Sequence, residues 1–332
     1  MTSLSEQSSQ QGQSPQHTQS PPDGRGPQHE PGAPGGGPPE PARRTTTAGP
    51  SRLPAPLALL RPGQWPKNVL VVPLPLLGAD LAWDMAARIT VAMAAFVLAS
   101  SLVYVVNDLA DVERDRRHPV KRHRPLAAGR ITPRAAVALA ALLGALLVPL
   151  LAATGPGVAA PVLLYLAVNA AYSWKLKHLP LLDVFVVATG FVLRLLGGYG
   201  ASGRPLSAWL VLTVLTLCLV LIVGKRRHEL GVAGSGHRPA LVGYSAHFLD
   251  LVLVLCSGLT VVGYLLYLRT ESGFETGALL TAPLALFALF RYLQIVVVHA
   301  EGGNPVRTLL RDRAMLATAA LWAALLLTFQ LT

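Results

Sequence analysis

Three carboxylates stand at spacings of three and four residues: Asp108, Asp111 and Asp115, within the run Asn107-Asp108-Leu109-Ala110-Asp111-Val112-Glu113-Arg114-Asp115. On a helix these spacings put side chains on one face. Like charges held together repel, and a hard divalent cation relieves that repulsion. Mg²⁺ takes one or two carboxylates and completes its shell with water and substrate phosphates. Asn107 adds a neutral carbonyl ligand or an orienting hydrogen bond, and Pro119 ends the helix. Glu113 lies off the common face. The competing view is a solvated surface on which Arg114, Arg116 and Arg117 neutralise the acids.

A basic stretch follows at once: Lys121-Arg122-His123-Arg124-Pro125. Metal-binding acids beside Lys and Arg describe a diphosphate site. The metal bridges the phosphates and the cations hold the remaining oxygens. Lys121 and Arg124 are the first choices for those oxygens. Arg122 and His123 fit equally well a basic segment retained at an anionic lipid surface. The nine His show no zinc-like spacing, and Cys218 and Cys256 sit in apolar runs as packing thiols.

These residues need a scaffold, and composition says which kind. The chain has 332 residues, 52% hydrophobic and only 14% charged, with mean hydropathy +0.46. Soluble domains carry about 25% charged residues, so a single water-soluble globule is excluded. Residues 1–50 hold ten Pro, eight Gly and five hydrophobic residues, which predicts a disordered tail with no signal-peptide core. Residues 51–332 form one membrane domain, and they carry the whole basic excess: +12 against −1 for the tail. That excess belongs to a membrane and to phosphates, with no nucleic acid implied.

A membrane helix needs about 20 apolar residues. Nine candidates follow, at roughly 67–84, 87–106, 133–153, 157–174, 180–199, 206–224, 247–268, 279–299 and 313–331. Pro73 and Pro75 predict a kink in the first. Of the 28 Lys and Arg, 22 fall on one set of segments and three on the other. The positive-inside rule then puts the N-terminus in the cytoplasm of a plasma-membrane protein, with the C-terminus outside. Asp183 and Arg194 lie in the fifth span and Asp250 in the seventh. Charges inside a span face the bundle interior. Gly224-Lys225-Arg226-Arg227-His228-Glu229 falls in the loop after the sixth span. No internal repeat supports a transporter.

The run N-D-L-A-D-V-E-R-D followed by K-R-H-R-P-L-A-A-G resembles the first signature of the UbiA-type prenyltransferase superfamily. The likeness covers about residues 57–331. It implies an all-α integral membrane protein, a nine-transmembrane-helix bundle, using Mg²⁺ on a diphosphate substrate. Prenyl-transferring members usually carry a second Asp-rich segment after helix six, where this chain has Lys225, Arg226 and Arg227 with one acid, Glu229.

One branch of the superfamily is similar in that respect. Its members move 5-phosphoribose from phosphoribosyl diphosphate to a polyprenyl (decaprenyl) phosphate and release diphosphate, for cell-wall arabinan precursors. Further stretches resemble that branch: Arg61-Pro62-Gly63-Gln64-Trp65-Pro66-Lys67-Asn68, Tyr172-Ser173-Trp174-Lys175-Leu176-Lys177, and Leu193-Arg194-Leu195-Leu196-Gly197-Gly198.

The resemblance implies Asp108, Asp111 and Asp115 as metal ligands. Lys67, Asn107, Lys121, Arg124, Tyr172, Lys177, Asp183, Arg194, Lys225, Arg226 and Glu229 are then substrate contacts, with Lys225 and Arg226 facing the ribose 5-phosphate. Which cationic cluster holds which phosphate stays open. Lys67 is equally an interfacial anchor, and Arg194 equally a structural residue. The alternative activity is transfer of a polyprenyl group from its diphosphate to an aromatic or other acceptor. Lipid is the surrounding partner, and a homo-oligomer is left open.

Overall fold

The computed structural model describes residues 53–72, 83–233, 239–270 and 275–331. The expected tail, 1–50, and the prolines of the first span, Pro73 and Pro75, lie outside them. The regular elements among the described residues are all helices, with no strand. The elements are α1 (Ala55–Leu59), α2 (Trp83–Ala110), α3 (Val112–Arg117), α4 (Pro133–Thr154), α5 (Pro156–Trp174), α6 (Leu182–Ser202), α7 (Ala208–Ala233), α8 (Ala246–Thr270), α9 (Glu275–Val297), α10 (Pro305–Arg311) and α11 (Arg313–Leu331).

Seven of these, α2 and α4 to α9, are long and apolar enough to cross a membrane, and α11 adds a shorter apolar window. The protein is therefore a multi-pass membrane protein. Successive long helices pack as neighbours, α2 on α4, α5 on α6, α6 on α7, α7 on α8, α8 on α9 and α9 on α11. Helix α2 also reaches α6 across the bundle. In lipid such contacts come from close packing and interhelical hydrogen bonds rather than from expelled water. Thr260 donates to Thr216 across 2.8 Å between α8 and α7.

Two departures from the sequence expectations shape the site. The first concerns residues 62–71, which overlap the start of the kinked first span expected at 67–84. They form a 3-10 helix with Pro66 inside it, entered through Arg61 at φ 54°, ψ 62°. Missing N–H groups and a left-handed entry explain why no α-helix forms there. The segment inserts between α2 and α6. Trp65 Nε1 donates to Ser101 Oγ at 3.2 Å, and Asn68 Nδ2 to Ser100 Oγ at 3.4 Å, about three turns inside α2. Irregular backbone at such depth is tolerated where protein buries it. Val71 packs so tightly on α6 that a Cβ at Gly198 would overlap the Val71 carbonyl oxygen.

The second departure is at 224–229. The expected loop is helix: α7 continues to Ala233 and carries this run in its last turns. Glu229 explains the extension. It accepts from Arg226 Nη1 at 2.6 Å, three residues back, and faces Lys225 Nζ at 3.6 Å, four residues back. Such pairs favour helix where hydropathy alone signals an end.

Candidate active site

The acidic run divides in two. Helix α2 stops at Ala110, Asp111 takes φ −100°, ψ 5°, and α3 begins at Val112. That break rotates the three carboxylates off a single face. Asp108 and Asp115 are each 2% exposed and meet on one guanidinium: Arg124 Nη1 donates to Asp108 Oδ1 at 3.1 Å and to Asp115 Oδ2 at 2.6 Å. Arg61 Nη2 also donates to Asp108 Oδ1, and its guanidinium lies over the Tyr104 ring.

Asp111 points elsewhere, to Arg114 at 2.9 Å and Lys177 at 3.6 Å, while Glu113 pairs with Arg116. So Asp111, 27% exposed, and the more exposed Glu113 are neutralised by local cations, while Asp108 and Asp115 form a buried pair. Among the described residues no three acidic, His or Cys side chains converge to hold a metal. Two carboxylates do converge on one cationic atom.

A second wall faces this pair. Asn107 Oδ1 accepts from Ser173 Oγ at 2.6 Å, tying the end of α2 to the end of α5. Tyr172 is half-buried on α5, near enough to Arg226 to act on its charge. Lys177 lies in a short 3-10 turn, Leu176–His178.

Asp183, fully buried at the start of α6, accepts from Arg226 Nε at 2.8 Å and from Tyr244 Oη at 2.6 Å. Burial and that bond to Asp183 raise the Tyr244 phenol. Tyr244 Oη in turn accepts from the Leu181 N–H at 2.6 Å. Leu181 sits at φ 64°, ψ −50°, with Leu182 N donating to Pro180 O at 2.8 Å, a strained γ-turn that turns the chain into α6.

Arg226, expected at a phosphate, is 3% exposed and committed to Asp183 and Glu229. Lys225 is 44% exposed and is the member of the pair that remains accessible. Asp250 of α8 is likewise taken, by Arg227 Nε at 2.5 Å.

Lys67 and Arg194 lie deeper. Arg194 is buried among Asn68, Tyr165 and the Gly190 carbonyl. Lys67, ahead of the membrane helices, is pushed down to about 8 by burial, then by the charges of Lys225, Arg194 and Arg61. Lys121 is half-buried, with its backbone N–H on His118 Nδ1 at 3.2 Å. Sequence reasoning did not single out Arg61, Ser173 or Tyr244 as site residues. The signal for Arg61 and Ser173 was that both stand inside stretches resembling the phosphoribose-transferring branch.

Apart from the deeper Lys67 and Arg194, these groups gather where α2, α5 and α7 end and α6 begins. Buried carboxylates beside lysines and arginines at one end of a helical membrane bundle mark a functional site able to bind phosphate groups. The chain belongs to the UbiA prenyltransferase family, whose model matches residues 71–301.

Two relatives called decaprenyl-phosphate phosphoribosyltransferase are similar over most of their length. One, from Mycobacterium tuberculosis, is 34% identical over 80% of this chain and 90% of its own. The other, from Corynebacterium glutamicum, is 35% identical over 79% and 82%. The fold matches a UbiA homologue from Archaeoglobus fulgidus solved with GPP and Mg²⁺, at TM-score 0.61 and 19% identity, over 83% of this chain and 99% of that one.

Proposed function

We propose that the protein transfers 5-phosphoribose from phosphoribosyl diphosphate to a polyprenyl phosphate such as decaprenyl phosphate, releasing diphosphate, at the cytoplasmic face of the plasma membrane. The observation that carries this is the composition of the second wall. The end of α7 carries Lys225, Arg226 and one acid, Glu229, and Asp183 of α6 answers Arg226. With a single acid, Glu229, where prenyl-transferring members carry an Asp-rich segment, and with Lys225 exposed beside it, this wall suits a substrate that bears a further phosphate besides its diphosphate. The names of the mycobacterial and corynebacterial relatives support the same reading.

Asp108 and Asp115 fit Mg²⁺: both are oxygen donors, and both already reach a single cationic atom, Arg124 Nη1. Bound there, Mg²⁺ supplies charge stabilisation for the departing diphosphate. The rest falls to the chain's own side chains. Arg124, Arg61 and Lys121 hold the diphosphate oxygens as the ribose C1–O bond breaks and negative charge collects on them. Asn107, fixed by Ser173, orients the acid pair, and Lys225 meets the 5-phosphate. A phosphate oxygen of the lipid attacks C1; it is already anionic, so no strong base is required. With the basic ends of the helices inside, this chemistry takes place in the cytoplasm, and the product can serve arabinan synthesis in the cell wall.

The test is transfer itself. Membranes holding the protein are given labelled phosphoribosyl diphosphate, decaprenyl phosphate and Mg²⁺, and labelled lipid is expected. No labelled lipid, with turnover of a polyprenyl diphosphate instead, would replace this reading by prenyl transfer to another acceptor.

A further inference from the structure

Arg194 is a guanidinium only 4% exposed, on a membrane helix, and its hydrogen-bond acceptors are neutral: Asn68 Oδ1 at 2.7 Å, Gly190 O at 2.6 Å and Tyr165 Oη at 3.2 Å. The rings of Tyr165, Phe191 and Phe96 surround it at 4.6 to 5.9 Å. A charge inside a bundle is costly and persists where it has work that a neutral group cannot do.

Its work here is visible in Asn68. That amide accepts from α6 through Arg194 and donates to α2 through Ser100, so both ends of one side chain are fixed. Val71, three residues on, is locked against Gly198. The 62–71 segment is thereby pinned on either side of Lys67.

The charges that act on Lys67 are cations: Lys225, Arg194 and Arg61. Arg61 is answered by Asp108 and Lys225 by Glu229. Positive charge therefore exceeds negative charge on the inner side of the acid pair, a place for an anion. Its depth indicates which anion. Asn68 is level with Ser100, ten residues inside α2 from its end at Ala110, and the next residue, Val69, is 60% exposed. A phosphate with an apolar tail fits such a seat, whereas a free sugar phosphate enters from water.

Resting on the function proposed above, we propose that Lys67 is the contact for the phosphate monoester of the lipid acceptor. Arg194 is its positioning residue, acting through Asn68. This separates the three phosphates of the reaction. The diphosphate lies at Asp108, Asp115 and Arg124, the sugar phosphate toward Lys225, and the lipid phosphate at Lys67.

The test measures binding of farnesyl phosphate to the full chain in nanodiscs, without sugar substrate, beside steady-state KM values for both substrates. Lys67→Ala should weaken farnesyl phosphate binding about tenfold or more, the loss expected for a charged hydrogen bond, and leave the KM for phosphoribosyl diphosphate within about twofold. Lys67→Arg should recover most of the affinity, and farnesol should bind wild type and Lys67→Ala alike. Asn68→Ala keeps Lys67 but removes its tether, and should raise the lipid KM with kcat nearly unchanged.

Unchanged farnesyl phosphate binding in Lys67→Ala, or a rise in the sugar-diphosphate KM alone, overturns the assignment. Lys67-dependent binding without phosphoribose transfer would keep the lipid-phosphate site and sink the proposed function. Transfer that ignores Lys67 would do the reverse.

Discussion

Asp183 and Arg226 form an ion pair at 2.8 Å between α6 and α7, with 0% and 4% of their side chains exposed. Breaking such a buried pair by removing one partner leaves a charge without its counter-ion, at a cost of about 3–5 kcal/mol. Asp183→Ala should therefore lower the unfolding midpoint in detergent well beyond any surface substitution. Replacing both residues by apolar ones of similar volume should restore much of that stability while leaving turnover low, because Glu229 then loses its anchor. Stability that stays lost in the double variant would contradict this account.

The acid pair makes a ranked prediction. Asp108→Asn and Asp115→Asn should each cut turnover about 100-fold or more, the scale of losing a charge-stabilising group. Asp111→Asn should cost about tenfold or less, since Asp111 pairs with Arg114 and Lys177 away from Arg124. Chelation of Mg²⁺ should abolish turnover of the wild type. Equal losses at 108, 111 and 115 would mean the three carboxylates act as one group after all.

Lys67 predicts a pH limb. Its ammonium is held down to about 8, so it is charged below that pH and neutral above it. Affinity for an anionic lipid should fall as pH rises through about 8, seen in kcat/KM for the lipid. Lys67→Arg, always protonated, should remove that limb. The sign for stability is opposite. Between about 8 and the usual lysine value the unfolded chain binds the extra proton, so this group favours folding more as pH rises.

Gly198→Ala tests the seat of the 62–71 segment. An added Cβ meets backbone, the Val71 carbonyl oxygen, which cannot swing aside as a side chain could. The variant should lose about 1–3 kcal/mol of stability and raise the lipid KM more than the sugar KM. A silent Gly198→Ala would show the segment free to shift.

Much of this was legible in the sequence. Seven of the nine expected spans recur as long apolar helices among the described residues, because runs of about 20 apolar residues admit few other structures. The meeting of Asp108 and Asp115 with Arg124 was legible too, because acids at helical spacing beside basic residues leave a chemical trace. What escaped did so for stated reasons. Asp111 left its face because one residue between α2 and α3 departs from helical ψ, a backbone event without a side-chain signature. The run at 224–229 read as a loop because hydropathy falls there, while Glu229 was quietly holding the helix together. Tyr244 is distant in sequence from Asp183, and nothing but the packing of the 239–243 turn against Leu181 unites them.

The extension of α7 to Ala233 carries a consequence for evolution of the seat. Loops change length and shape cheaply, but Lys225, Arg226 and Glu229 ride one rod packed along α8 and joined to α6. A bulkier or smaller head group cannot be accommodated by remodelling a few exposed residues. It requires the rod to slide or rotate against its neighbours, taking the Asp183 pair with it. If Lys225 meets the sugar phosphate as proposed, selectivity on this side is set by the register between membrane helices, and variants with altered preference should arise at helix contacts far from the substrate.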